Sequence, residues 1–184
     1  MTEEIIIAGF GGQGVLSMGQ ILCYGGVMED KEVSWMPSYG PEMRGGTANC
    51  IAIISDEKIS SPILTRFDIV IALNQPSLDK FERALKPGGL LIYEASTIIN
   101  PPTRIDIEIL PIEASTEAAK MKNLKIMNMI ILGALLKKKP MIKIESAVKG
   151  LEKVLPERYH NLIPLNKTAL EKGMELAEKV GVKV

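Results

Sequence analysis

The sequence predicts an α/β protein: a three-layer α/β/α sandwich built on a mostly parallel, mixed sheet. Three observations carry this. The nearly continuous apolar runs Ile5-Ile6-Ile7-Ala8 and Ile69-Val70-Ile71-Ala72-Leu73 read as parallel strands buried on both faces. Strand-like and helix-like segments alternate through the first half of the chain, as βα units do. From Ala114 onward apolar residues recur at helical spacing, so helices dominate the second half.

The elements follow in order. Glu4–Ala8 is the first buried strand, and a helix runs from Gly14 to about Met28 with Val15, Met18, Ile21 and Leu22 as its apolar stripe. Glu32–Met36 and the β-branched stretch Ala48–Ser55 are strands, and Asp56-Glu57-Lys58 reads as a hairpin turn into Ile59. After the Ile69–Leu73 strand, Asn74 caps a helix with Pro76 in its first turn, which Lys86-Pro87-Gly88-Gly89 should end. Leu90–Glu94 is the next strand. Arg104–Leu110 alternates Ile105, Ile107 and Ile109 with polar residues, which predicts a half-exposed edge strand. Four helices complete the chain at 114–121, 125–137, 143–155 and 167–180, with Gly181 as the last C-cap.

Composition narrows the function. The chain has 184 residues and 46% hydrophobic content, enough for one domain over 1–184 with a filled core. Basic and acidic residues balance at 22 each, so no field invites nucleic acid or an anionic membrane surface. No apolar run spans a bilayer, and the acidic start Met1-Thr2-Glu3-Glu4 lacks the regions of a signal peptide, so a cytoplasmic location is expected. Two cysteines, Cys23 and Cys50, are too few for an iron–sulfur cluster, which takes four. The single histidine, His160, sits in Arg158-Tyr159-His160-Asn161, where packing or a surface loop suits it better than a zinc or catalytic role. No catalytic or metal-ligating residue is expected, and no cofactor is expected to be held by this chain alone. With 10 methionines and 4% aromatics, Met121, Met127 and Met129 read as core filler.

Two backbone-exposing segments carry the chemistry. Gly9-Phe10-Gly11-Gly12-Gln13-Gly14 follows the first strand, and Ser38-Tyr39-Gly40-Pro41-Glu42-Met43-Arg44-Gly45-Gly46 follows the second. In an open α/β sheet, ligands gather where strands end. Gly9, Gly11 and Gly14 fit the dinucleotide spacing, with a helix N-terminus to attract phosphate. The acid that should close the second strand on a ribose is missing, since that strand runs into Met36-Pro37-Ser38 and Glu29, Asp30 and Glu32 precede it. A freestanding NAD- or FAD-binding protein is therefore the alternative reading. The same glycines suit contact with another polypeptide or with the pyrophosphate of a coenzyme, and they also suit a plain tight turn. Gln13 offers both donor and acceptor. In the second segment Tyr39 is an aromatic platform, Glu42 an acceptor and Arg44 a bidentate donor, although a Glu42–Arg44 pair could equally be a solvated contact. Gly45-Gly46 before a strand implies close approach by another backbone.

Together, G-F-G-G-Q-G-V at Gly9–Val15 and S-Y-G-P-E-M-R-G-G at Ser38–Gly46 resemble the gamma subunit of 2-oxoacid:ferredoxin oxidoreductases. The resemblance continues through F-D-I-V-I-A-L-N at Phe67–Asn74, L-K-P-G-G at Leu85–Gly89 and N-M-I-I-L-G-A-L at Asn128–Leu135. It implies a subunit of an enzyme that oxidatively decarboxylates a 2-oxoacid to its acyl-coenzyme A and reduces ferredoxin. Thiamine diphosphate, magnesium, iron–sulfur clusters and coenzyme A would serve the whole complex, whose alpha and beta subunits, and a delta subunit where present, would be the partners. The resemblance places Gly9, Gly11, Gly12, Gln13, Gly14, Ser38, Tyr39, Gly40, Pro41, Glu42, Arg44, Gly45, Gly46 and Asn74 on the partner-facing side, with a helix cap as the competing role for Asn74. Such a chain should be inactive alone, and its partner face could bury itself in a homodimer.

Overall fold

In the computed structural model, residues 1–40 and 45–180 are described. The apolar run near the N-terminus forms β1 (Thr2–Phe10), buried without a break from Ile5 to Gly9 because it lies in the middle of a six-stranded sheet. Helix α1 (Val15–Val27) follows, then β2 (Glu32–Tyr39), β3 (Thr47–Ser55) and β4 (Phe67–Ala72). After α2 (Gln75–Phe81) come β5 (Leu85–Glu94), β6 (Glu108–Ile112) and the helices α3 (Ala114–Lys120), α4 (Met127–Lys138), α5 (Ile144–Val154) and α6 (Ile163–Val180).

The strand order is β2-β3-β1-β4-β5-β6. β1, β4, β5 and β6 pair in parallel, while β3 runs antiparallel to both β1 and β2. Hence β2 points the same way as β1. Five of the six strands end on one edge, and β3 begins there. The sheet is mixed, as expected, with a cause other than the one expected. The antiparallel hairpin is β2–β3, joined around Gly40–Gly46, and Asp56 opens no hairpin. Asp56 instead binds the Met1 ammonium and Lys31, and the chain from 56 to 66 runs irregularly with Ile59 and Leu64 packed against the sheet.

The two faces are covered unequally. One carries α1 and α3–α6 over a large core that includes Ile5, Ile7, Leu22, Ile54 and Ile71. Within it α4 is buried all round, from Met127 to Leu136, because α3 and α6 pack against it on the side away from the sheet. Among the described residues, the other face has α2, a short 3-10 turn and irregular chain over Ile6, Ile53, Val70 and Leu91.

Several boundaries move for physical reasons. β2 extends through Pro37 to Tyr39, and an edge strand tolerates the missing N–H of proline. Lys86-Pro87-Gly88-Gly89 does not end α2, which stops at Phe81 before a 3-10 turn. The Arg104 guanidinium donates to the carbonyls of Glu82 (3.1 Å) and Leu85 (2.6 Å) there, satisfying groups the helix leaves open. The Lys-Pro-Gly-Gly stretch lies inside β5, where the pairing register with β4 shifts and Lys86 reaches Glu4 and Asp68. Because Arg104 is committed to that turn, the last strand starts at Glu108, and Ile105 is left 99% exposed. Gly181 lies outside the described residues.

A candidate functional site on the carboxyl edge of the sheet

The strand directions bring the two predicted segments together. Gly11 N–H donates to the Gly46 carbonyl at 2.8 Å, and Gly40 N–H to Thr47 at 2.9 Å, so the glycine turn and the β2–β3 connection are stitched side by side. Asn74, at the end of β4, sits on the same edge because β4 is parallel to β1.

Each predicted residue has its own setting. Gly9 is buried inside β1, where a Cβ would press on Gln13 Oε1 at 2.6 Å and on Leu73 and Val15 at 3.0 Å. It packs beneath the turn and offers no surface. Gly12 is exposed at φ 97°, and Gly14 at φ 77° starts α1 with a left-handed residue, so both need a backbone that side chains resist. A Cβ at Gly14 would also overlap the Asn128 amide. Gln13 is turned inward: its Oε1 accepts the Phe10 N–H (2.7 Å) and its Nε2 donates to the Leu73 carbonyl (3.2 Å). Both ends of the side chain therefore tie the turn to β1 and β4.

Ser38 and Tyr39 are exposed at the tip of β2, and Gly45 is exposed at φ 72°. Pro41, Glu42 and Arg44 lie outside the described residues. Asn74 is 6% exposed, and its Oδ1 caps α2 by accepting the Ser77 N–H at 2.9 Å. Its Nδ2 is buried with no hydrogen-bond partner among the described residues.

Between the turn and the tip of β2 lies a cleft of about 310 Å³, lined by Phe10, Gly11, Gly12, Leu16, Ser17 and Tyr39 among others. Phe10 and Tyr39 are 37% and 56% exposed there, an apolar pair flanked by free backbone. Phe10 escaped the sequence reading, although it is the one side chain between the first glycines. Glu94 escaped as well. This fully buried carboxylate ends β5 and accepts from Thr97 Oγ1 (2.6 Å), Ser115 N (3.0 Å) and Ser96 N (3.2 Å), tying the turn after β5 to the start of α3. An acid closing the apolar run Leu90–Tyr93 was the available signal.

The dinucleotide alternative is not supported. The strand that follows α1 is not a neighbour of β1, because antiparallel β3 stands between them. The parallel neighbour that should present an acid to a ribose is absent from that side.

The cysteines do not fit a cluster either. Burial pushes the Cys23 thiol up to about 12, with neighbouring Cys50 adding to it, and burial pushes Cys50 to about 12. Neither forms a thiolate ligand readily, and no group of metal-ligating side chains occurs among the described residues. Both thiols are expected to resist iodoacetamide at pH 8 and to react only when the chain unfolds, which mass spectrometry of the alkylated protein checks. Since the folded values lie above the unfolded value near 9, these groups weaken the fold only as pH rises beyond about 9.

Comparison with known proteins agrees with this geometry. Residues 4–176 match the pyruvate ferredoxin/flavodoxin oxidoreductase family. The chain is 32% identical over 183 residues to the 2-oxoglutarate synthase subunit KorC of Methanocaldococcus jannaschii, covering 98% of this chain and 96% of that one. It is 49% identical over 94 residues to the ketoisovalerate oxidoreductase subunit VorA of Methanothermobacter thermautotrophicus, a match spanning 51% of this chain but only 20% of VorA. Among solved structures, the gamma subunit of a keto/oxoacid ferredoxin oxidoreductase from Geobacter sulfurreducens superposes with a TM-score of 0.80 at 28% identity, covering 96% of this chain and 99% of that one. The 2-oxoglutarate:ferredoxin oxidoreductase of Magnetococcus marinus, solved with 2-oxoglutarate, coenzyme A and succinyl-CoA bound, gives 0.87 at 26% identity, covering 97% of this chain and 31% of that one. A mixed six-stranded sheet with its glycine turn on the carboxyl edge, matched along nearly its whole length, belongs to the pyruvate ferredoxin/flavodoxin oxidoreductase family, and the chain is a gamma-subunit-type member of it.

Proposed function

We propose that this chain works as a single domain that walls the active-site region of a multisubunit, cytoplasmic 2-oxoacid:ferredoxin oxidoreductase. The reaction would convert a 2-oxoacid of the 2-oxoglutarate or branched-chain kind to its acyl-coenzyme A, with ferredoxin taking the electrons. Thiamine diphosphate, magnesium and iron–sulfur clusters belong to the alpha and beta partners, and to a delta subunit where one is present. This chain contributes the edge formed by Gly11, Gly12, Gly14, Tyr39, Gly40, Gly45 and Gly46, on the side from which coenzyme A approaches. The family resemblance adds Pro41, Glu42 and Arg44, which lie outside the described residues, to the proposed contacts.

The observation that supports this reading most is the Gly11–Gly46 hydrogen bond, which joins two exposed glycine-bearing segments into one surface with Phe10 and Tyr39 at its rim. A surface of free backbone and aromatic rings suits a protein partner, and it orders and dries a neighbouring site without supplying a reactive group. The test is turnover of 2-oxoglutarate, pyruvate and branched-chain 2-oxoacids with coenzyme A and a low-potential dye. Activity is expected only when the chain is combined with its co-purifying subunits. Turnover by the chain alone would overturn the subunit role.

A further inference from the structure

β2 is a free edge of the sheet, with β3 as its one neighbour among the described residues. The bond from Gly40 N–H to the Thr47 carbonyl fixes which of its backbone groups that neighbour uses. Hydrogen-bonded residues alternate along an antiparallel ladder, so Glu32, Ser34, Met36 and Ser38 turn their N–H and C=O groups toward β3. Val33, Trp35, Pro37 and Tyr39 turn theirs outward. Pro37 fits this parity, since it has no N–H to give the ladder. The outer edge therefore offers donors at Val33, Trp35 and Tyr39, and acceptors at those residues and Pro37, a template for one more strand.

Apolar side chains gather beside the same edge. Tyr24, Val27 and Met28, at the end of α1, are 44%, 56% and 39% exposed. A recess of about 240 Å³ lies next to them, lined by Gln20, Cys23, Tyr24, Val27, Val33 and Trp35. Tyr39 falls on the same face of β2 as Val33 and Trp35, because side chains alternate along a strand.

The edge is complementary to itself. About a twofold axis at Met36, β2 pairs antiparallel with a copy of itself, and every outward donor meets a carbonyl. Val33 N–H donates to Tyr39 of the second copy, Trp35 N–H to Pro37 and Tyr39 N–H to Val33. Side chains match in this register too: Val33 stands opposite Tyr39, Trp35 opposite Pro37, Met36 opposite Met36 and Ser34 opposite Ser38. Glu32, the one charge on β2, faces the neutral Gly40. Moving the axis to Trp35 would set Ser34 against Met36 and crowd two indoles together.

We propose that the free chain pairs with a second copy of itself through β2, joining the two sheets into one and laying Tyr39 of each copy over the other's recess. The pairing belongs to the chain alone and does not draw on its role in the oxidoreductase. Because Tyr39 also rims the cleft of the proposed partner surface, dilution below the dissociation concentration of the dimer opens the Tyr39 N–H again.

The test uses the full chain without other subunits, so a failure here is told apart from a failure of the subunit reading. Sedimentation equilibrium at micromolar concentration should show a dimer. Met36→Cys should form an intermolecular disulfide under mild oxidation, because residues on such an axis lie about 4.5 Å apart at Cα. Ser34→Cys alone should not, its two copies being about 13 Å apart along the strands. An equimolar mixture of Ser34→Cys and Ser38→Cys should cross-link. Cys23 and Cys50 stay out of the reaction, buried with thiols pushed up to about 12. Combining Ser34→Lys with Ser38→Lys opposes like charges across the seam and should weaken dimerisation at least about tenfold, read beside the circular dichroism of the variant. A monomeric chain, no disulfide in Met36→Cys, or a dimer that the folded lysine variant leaves intact would overturn the proposal.

Discussion

Gly133→Ala and Gly173→Ala are each expected to destabilise the chain by about 3 kcal/mol, the upper end for overpacking a core. Alanine ordinarily stabilises a helix interior by about 1 kcal/mol over glycine, so the sign rests on packing. At Gly133 in α4 a Cβ would overlap the Leu170 carbonyl, and at Gly173 in α6 it would overlap the Ile130 carbonyl. Both obstacles are backbone, and no rotamer change can clear them. The two helices approach through these glycines, and α6 would have to lift from the face of α4 that it covers. Thermal unfolding should show a fall in Tm of about 6–12 °C for each variant. Gly12→Ala is the internal comparison: its Cβ meets open space, so only the strain at φ 97° remains, about 1 kcal/mol. An alanine at Gly133 that raised Tm would show that the α4–α6 packing is wrong.

Tyr39→Ala should separate folding from assembly. The ring is 56% exposed at the tip of an edge strand, so its loss should change stability by no more than about 0.5 kcal/mol. If the cleft beside the glycine turn is the partner surface, Tyr39 is a rim anchor, and its removal should weaken association with the other subunits about thirtyfold. Phe10→Ala should act in the same direction. The measurement is affinity for the reconstituted partners, read beside the Tm of the free variant. Unchanged affinity at unchanged Tm would remove this cleft from the interface.

The fold class was legible because buried parallel strands write themselves as apolar runs, as Ile5–Ala8 and Ile69–Leu73 do. The strand order was less so. Nothing local in Ala48–Ser55 says that it inserts, antiparallel, between the strands on either side of α1, since that pairing is decided by the sheet as a whole. Lys86-Pro87-Gly88-Gly89 misled for a related reason: it carries a helix-stop signature, yet tertiary pairing with β4 absorbs it as an irregularity within a strand.

At the site, the glycine pattern pointed to the carboxyl edge of the sheet but not to how its residues are placed along it. Gly9 and Gln13 look alike in a motif, yet one is buried under the turn and the other is bonded at both ends. Asn74 shows the limit most clearly. Its capping role follows from Asn-Gln-Pro spacing, whereas the burial of its Nδ2 without a partner among the described residues emerges only once β4 is set beside β1. Glu94 and Asn128 depend on α3 and α4 folding back over the edge, a contact that no sequence window contains.

The most direct test of the central claim is amide hydrogen exchange on the chain alone and within its assembled oxidoreductase. New protection is expected at Gly11, Gly12 and Gly14, and at Tyr39, Gly40 and Gly45–Thr47, with little change at the opposite edge around Glu4, Asp68 and Lys86. Protection gained at that opposite edge, with the glycine turn exchanging as freely as before, would contradict the claim that this surface faces the partner subunits.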